Sequence, residues 1–189
     1  AAEKKMGGSK MVDLSAMVGY NNFILNTNKD NEGGYLTGGY DLGLRGLYNV
    51  PAGANWVTPV VGATFSYLNT SAKITGGNTE YSQMALLLNG GAEFKGEGPV
   101  SMLALVNLGM GFGGKAKEKS TSTDYKVNNQ FIYGLTLGGH YGFAPKMAAG
   151  LELTYNRHQY KAKVDATGGT SKSAIGRETA LNAVFTYSL

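Results

Sequence analysis

The stretch "VSMLALVNLGMGF" (residues 100–112) repeats with a period of two. Val100, Met102, Ala104, Val106, Leu108, Met110 and Phe112 share one parity. Ser101, Asn107, Gly109 and Gly111 share the other. Side chains along a strand alternate between two faces, so this segment builds one continuous apolar face and one mixed face. A helix would need apolar residues three and four positions apart, and helical spacing fits this window poorly. On one side lies "KGEGP" (95–99), with the Gly and Pro of a tight turn. On the other lies the polar run "KAKEKSTSTDYKVNN" (115–129).

The same period recurs along the chain. Val12, Leu14, Ala16, Val18 and Tyr20 alternate with Asp13, Ser15 and Gly19. Leu36, Tyr40, Leu42, Leu44 and Tyr48 alternate with Asp41, Gly43 and Arg45. The pattern predicts eight strands, at approximately 11–21, 35–48, 56–68, 81–94, 100–113, 130–143, 147–160 and 174–189, in one domain spanning 1–189. Their alternating cores, about 9 to 13 residues long, exceed the 5 to 6 usual in soluble sheets and suit a tilted membrane crossing of about 9 to 11. The connections alternate in length. Residues 22–34, 69–80, 114–129 and 161–173 are long, whereas 49–55, 95–99 and 144–146 are short. Short turns at one end and long loops at the other are the habit of outer-membrane barrels. Pro59 interrupts the third strand near its short-turn end, where a bulge or a late strand start accommodates it.

Composition excludes several classes. The 189 residues include 29 Gly and 12 Tyr but no Cys, so neither a disulfide framework nor a thiolate metal site arises. Only 16% of residues are charged, and the net charge of +4 is spread over loop-like segments, which argues against nucleic acid. No apolar run reaches the length of a membrane-spanning helix. "AAEKKMGGSK" (1–10) lacks the apolar centre of a signal peptide, so an exported protein is expected here in processed form.

Alternation alone does not say which face points outward, since a soluble barrel also alternates. Three features favour lipid. The polar face is built mainly of Gly, Ser, Thr and Asn rather than Lys and Glu. The apolar face carries no charge at mid-strand, where a Lys or Arg costs about 2 to 4 kcal/mol in a bilayer. Aromatic residues sort by height into two girdles. Tyr20, Tyr67, Phe112, Phe131, Tyr133 and Tyr155 fall near the long-loop end, and Tyr48, Phe94, Tyr141, Phe143, Phe185 and Tyr187 near the short-turn end.

With these strands, loops and girdles, the sequence resembles the small eight-stranded outer-membrane proteins of Gram-negative bacteria, the OmpA transmembrane domain and OmpX group. The resemblance covers almost the whole chain. It implies an all-β, antiparallel up-and-down transmembrane barrel with short periplasmic turns and long extracellular loops. It further implies a bacterial outer-membrane location and a monomer; since the last strand closes the sequence, a periplasmic domain of the OmpA kind is not expected. The closing "LNAVFTYSL" resembles the signal such proteins present to the barrel-assembly machinery, here carried by Leu181, Phe185, Tyr187 and Leu189. Leu189 stands where that family usually ends in Phe or Trp.

Parity sends Asp13, Asp41, Arg45, Glu93, His140 and Glu152 into the lumen. Arg45 is expected to pair with Asp41, Glu93 or Glu152, because charges in a narrow lumen need partners. Either this cluster fills the barrel, or it forms a gate whose ion pairs exchange. Leu87, Leu103, Leu105 and Ile132 also point inward, and an eight-stranded barrel has room only for side chains or one small ligand. A wide pore is therefore not expected. The two histidines, His140 and His158, have no neighbouring Ser in "LGGHYGF" or "YNRHQYK". Neither acyl-transfer chemistry nor a metal or other cofactor is expected. Arg157 and Arg177 fall on the outer wall near the long-loop end, with Lys161 close by. There they are expected to meet lipopolysaccharide phosphates, which the planar guanidinium fork suits. The "GG" tips at 74–80 and 165–173 lack the Gly-Lys-Ser/Thr ending of a phosphate loop. Two readings of function follow: a non-enzymatic envelope protein displaying its loops to an extracellular ligand that the sequence does not identify, or a narrow gated channel for ions or a small solute.

Overall fold

The computed structural model describes residues 11–27, 35–52, 54–74, 77–118, 123–162 and 172–189. Eight antiparallel strands follow one another around a closed barrel. They are β1 (Val12–Thr27), β2 (Tyr35–Asn49), β3 (Val57–Ile74), β4 (Gly77–Lys95), β5 (Val100–Glu118), β6 (Thr123–Ala144), β7 (Met147–Ala162) and β8 (Lys172–Ser188). β8 closes on β1 in register from Asp13↔Ser188 to Thr27↔Ala174, so the sheet has no free edge. Backbone groups facing lipid have no water to bond, which makes closure obligatory in a membrane.

The two parities face opposite environments. Val18, Leu44, Leu88, Met102, Leu137 and Leu151 project outward with 55 to 65% of their surface exposed. An apolar wall of this extent around a whole molecule is a lipid-facing surface. Aromatic rings pack along both rims: Tyr40 on Tyr67 and Phe65 on Phe112 toward the long-loop end, Phe143 on Phe185 toward the short-turn end. Trp56 joins the lower rim, 6.2 Å from Phe94 and stacked at 27°. The inward parity is buried. Leu47, Val60, Leu103 and Leu105 form one apolar cluster, and Ala85, Leu87 and Ile132 another.

The strands run further than the alternation predicts. Residues 69–80, expected as a loop, are largely paired, with Asn69↔Ser82 through Ile74↔Gly77 continuing the ladder. Residues 114–129 likewise pair from Gly114↔Val127 to Glu118↔Thr123. The reason is physical: above the membrane a hairpin needs no apolar face, so its strands leave no hydrophobic signature. Gly113 marks the transition. Its φ of +64° is a left-handed conformation favourable only to glycine, beside a register shift between Ser82 and Met84. The bulge reverses parity. Below it Phe112 faces out; beyond it Lys115 and Lys117 are exposed while Gly114 is buried. Pro59 lies within β3 opposite Ala92, and Val50 donates to its carbonyl at 2.9 Å.

Candidate functional site: the barrel lumen

Three polar layers cross the lumen. The one nearest the short turns centres on Arg45, only 5% exposed. Its guanidinium donates to both oxygens of Glu152, Nη1 to Oε2 at 2.7 Å and Nη2 to Oε1 at 2.5 Å. His140 Nε2 lies 2.8 Å from the same Oε1. This fork-on-carboxylate geometry is the strong, directional form of an Arg ion pair. Two glycines clear the space. A Cβ on Gly138 would sit 2.6 Å from Glu152 Cγ, and one on Gly150 would sit 2.2 Å from His140 Cδ2.

The middle layer is a hydrogen-bonded chain across β3 to β8. Thr64 donates to Asn89 (2.6 Å), Asn89 to Asn107 (2.9 Å), and Asn107 to both Thr136 (2.9 Å) and Asn156 (3.2 Å). The Thr136 and Thr154 hydroxyls bond at 3.0 Å. Asn156 then donates to Glu178 Oε2 at 3.2 Å, and His158 Nε2 meets that oxygen at 2.7 Å. Asn182 turns its amide nitrogen to Asp41, 2.6 and 3.2 Å from the two carboxylate oxygens.

Toward the long loops the layer is uncharged. Tyr81 donates to Gln83 at 2.6 Å, and Gln130 donates to the Tyr81 hydroxyl. Asn21 and Thr70 are fully buried as well. The space between these layers is small. A vestibule of about 330 Å³ enters from the short-turn end, lined by Asp13, Arg45, Glu93, Lys95, His140 and Ser188 among others. A cavity of about 40 Å³ lies deeper, between Asp41, Arg45, Asn107, Asn156, Glu178 and Asn182. Arg45 lines both, so it stands between them. The deeper cavity holds no more than a few waters.

The lumenal residues named from sequence are thus divided. Arg45, His140 and Glu152 come together. Glu93 instead pairs with Lys95 at 2.9 Å beside the vestibule. Asp13 accepts from Asn49 (2.9 Å) and Ser188 (2.5 Å) at the short-turn rim. Asp41 belongs to the middle layer. Sequence reasoning missed Glu178 and His158 as lumenal residues, although their even numbers place them on the parity of Asn182 and Glu152. Among the described residues no group of three His, Cys, Asp or Glu is arranged to hold a metal ion. On the outer wall Arg157 and Arg177 are direct cross-strand partners, while the Lys161 side chain lies outside the described residues. Leu181, Phe185, Tyr187 and Leu189 all face outward, and Leu189 N donates to Val12 O at 2.9 Å.

No protein-family model matches the sequence, and no curated protein matches it. Solved structures do match in fold. Neisserial surface protein A superposes with a TM-score of 0.55 at 12% identity, over 93% of this chain and 97% of that one. AlkL, determined in lipid bilayers, gives 0.53 at 10% identity, over 100% and 96%. OprG from Pseudomonas aeruginosa gives 0.51 at 13% identity, over 95% and 97%. The fold is that of the small eight-stranded outer-membrane β-barrels.

Proposed function

We propose that this chain is a non-enzymatic integral protein of the bacterial outer membrane. Its short turns face the periplasm, and its plugged barrel is a rigid scaffold for hairpins displayed outside the cell. Those hairpins contribute to envelope integrity or to contact with another cell or ligand. The observation that carries this reading is the unbroken side-chain network from Thr64 to His158, with Arg45–Glu152 below it and Tyr81–Gln83–Gln130 above. Arg45–Glu152 joins β2 to β7 and Asn107–Asn156 joins β5 to β7, and Arg45 stands between two separate cavities, which supports a closed lumen. The paired extensions of β3–β4 and β5–β6 past the aromatic rim support display, because they carry these strands beyond the membrane band. Swelling of proteoliposomes in small sugars and amino acids tests the plug. Rates equal to those of empty vesicles are expected, and sustained uptake would sink the scaffold reading. Shortening the 69–80 and 114–129 hairpins should leave the barrel folded while abolishing adherence to cells or matrix.

A second reading has one observation in its favour. The vestibule ends on Arg45, which also lines the deeper cavity, as the plug of a narrow gated conduit would. An Arg45→Ala variant with ion conductance absent from the parent supports that conduit.

A further inference from the structure

Arg157 and Arg177 stand directly opposite each other on β7 and β8, both on the odd parity that faces outward. Residues so paired have Cβ atoms about 4.5 to 5.5 Å apart, and like charges there repel. Nothing described on the protein neutralises them. The nearest carboxylate in sequence, Glu178, turns into the lumen and is engaged by His158 and Asn156. The outward neighbours are neutral: Tyr133 opposite Arg157, Tyr155 and Gln159 flanking it on β7, and Thr179 beside Arg177 on β8. Tyr133 and Tyr155 both interact with the Arg157 side chain, which steadies the guanidinium against the wall.

Height decides what the pair meets. Tyr187 in the lower rim and Arg177 are ten positions apart on β8. At a rise of about 3.3 Å per residue that is about 33 Å along the strand. A tilt of about 40° reduces it to about 25 Å along the membrane normal, the height of the apolar band of such barrels. Met147 and Arg157 on β7 are separated by the same count. Both guanidiniums therefore emerge at the level of the outer-leaflet headgroups, with Arg157 in register with Tyr133 and two positions beyond Tyr155 on β7.

We infer that Arg157 and Arg177 form a two-pronged clamp on the outer wall for a phosphate of the outer-leaflet glycolipid, the phosphorylated headgroup of lipopolysaccharide. Two adjacent guanidiniums offer parallel N–H donors to one tetrahedral anion, and the tyrosine hydroxyls add neutral donors at its edge. The clamp would fix a lipid against the β6–β8 side of the barrel. This assignment rests on the outer-membrane reading above. Refolding into neutral vesicles tests that reading separately from the clamp.

The experiment uses the full chain refolded into phosphatidylcholine vesicles, with bisphosphorylated lipid A, dephosphorylated lipid A or inorganic phosphate as probes. Failure of the parent to insert would count against the membrane reading itself. For the inserted protein, bisphosphorylated lipid A should raise the unfolding midpoint, and the other two probes should leave it unchanged. Arg157→Gln/Arg177→Gln should weaken apparent lipid A affinity by about ten-fold or more for each guanidinium lost. The rescue variant Arg157→Lys/Arg177→Lys should recover part of it, since charge remains but the fork is gone. Equal responses of parent and double Gln variant to lipid A would overturn the clamp. So would a midpoint rise with inorganic phosphate matching that with lipid A, which would make it a free-anion site.

Discussion

Replacing Glu152 by Gln removes one charge from the innermost ion pair while keeping its shape. Glu152 is 1% exposed and receives two bonds from Arg45 and one contact from His140. The variant strands a buried guanidinium that has no other carboxylate within bonding distance among the described residues. Breaking a buried pair from one side costs about 3 to 5 kcal/mol. At about 1.4 kcal/mol per decade, the folding equilibrium shifts by about two to nearly four orders of magnitude. Urea titration of the barrel in vesicles measures this, with Trp56, the only tryptophan, as the fluorescent reporter. Replacing both partners with apolar residues of similar size, Arg45→Met/Glu152→Met, should regain most of the loss, because no unpaired charge remains. A cost below about 1 kcal/mol for Glu152→Gln would refute the reasoning. It would mean that Arg45 re-pairs readily with Asp41 or Glu93, the behaviour of an exchanging gate rather than a fixed plug.

Further expectations follow from single contacts. Asn107→Ala removes the node shared by Asn89, Thr136 and Asn156, leaving buried amide groups unpaired at a cost of about 1 to 3 kcal/mol in the same urea assay; an unchanged midpoint would show that the network adds nothing to stability. Gly150→Ala sets a Cβ 2.2 Å from His140 Cδ2 and 2.3 Å from the Gly139 carbonyl oxygen. Displacing both should cost about 1 to 3 kcal/mol, and parent-like stability would argue that the His140 layer is loosely held.

The fold was legible because a membrane barrel writes its two environments on alternate residues. Val100 to Phe112 shows both faces in one stretch, and parity alone sent Arg45, His140 and Glu152 to the same interior. What escaped had physical causes. The β3–β4 and β5–β6 ladders continue past the rim, where water surrounds both faces and no alternation is required. The Gly113 bulge shifts parity by one, so counting from below misplaces Lys115 and Lys117, a geometry that two adjacent glycines at 113 and 114 do not announce. Which carboxylate Arg45 would choose depends on strand stagger around a closed sheet, and local sequence does not encode that. Parity also places His158 and Glu178 in the lumen. Near the ends of their strands they sit among polar residues, where nothing distinguishes a buried pair from a solvated one. The Arg157–Arg177 juxtaposition needed the β7–β8 register as well as parity.

The central claim is that the lumen is closed by its own side chains. Planar-bilayer recording on the purified, refolded protein at neutral pH tests this most directly. The account predicts no large, steady conductance from the parent protein, with at most brief, small events as the Arg45 layer fluctuates. A large and stable open conductance would contradict it, because such a current needs a path past Arg45, which separates the vestibule from the deeper cavity.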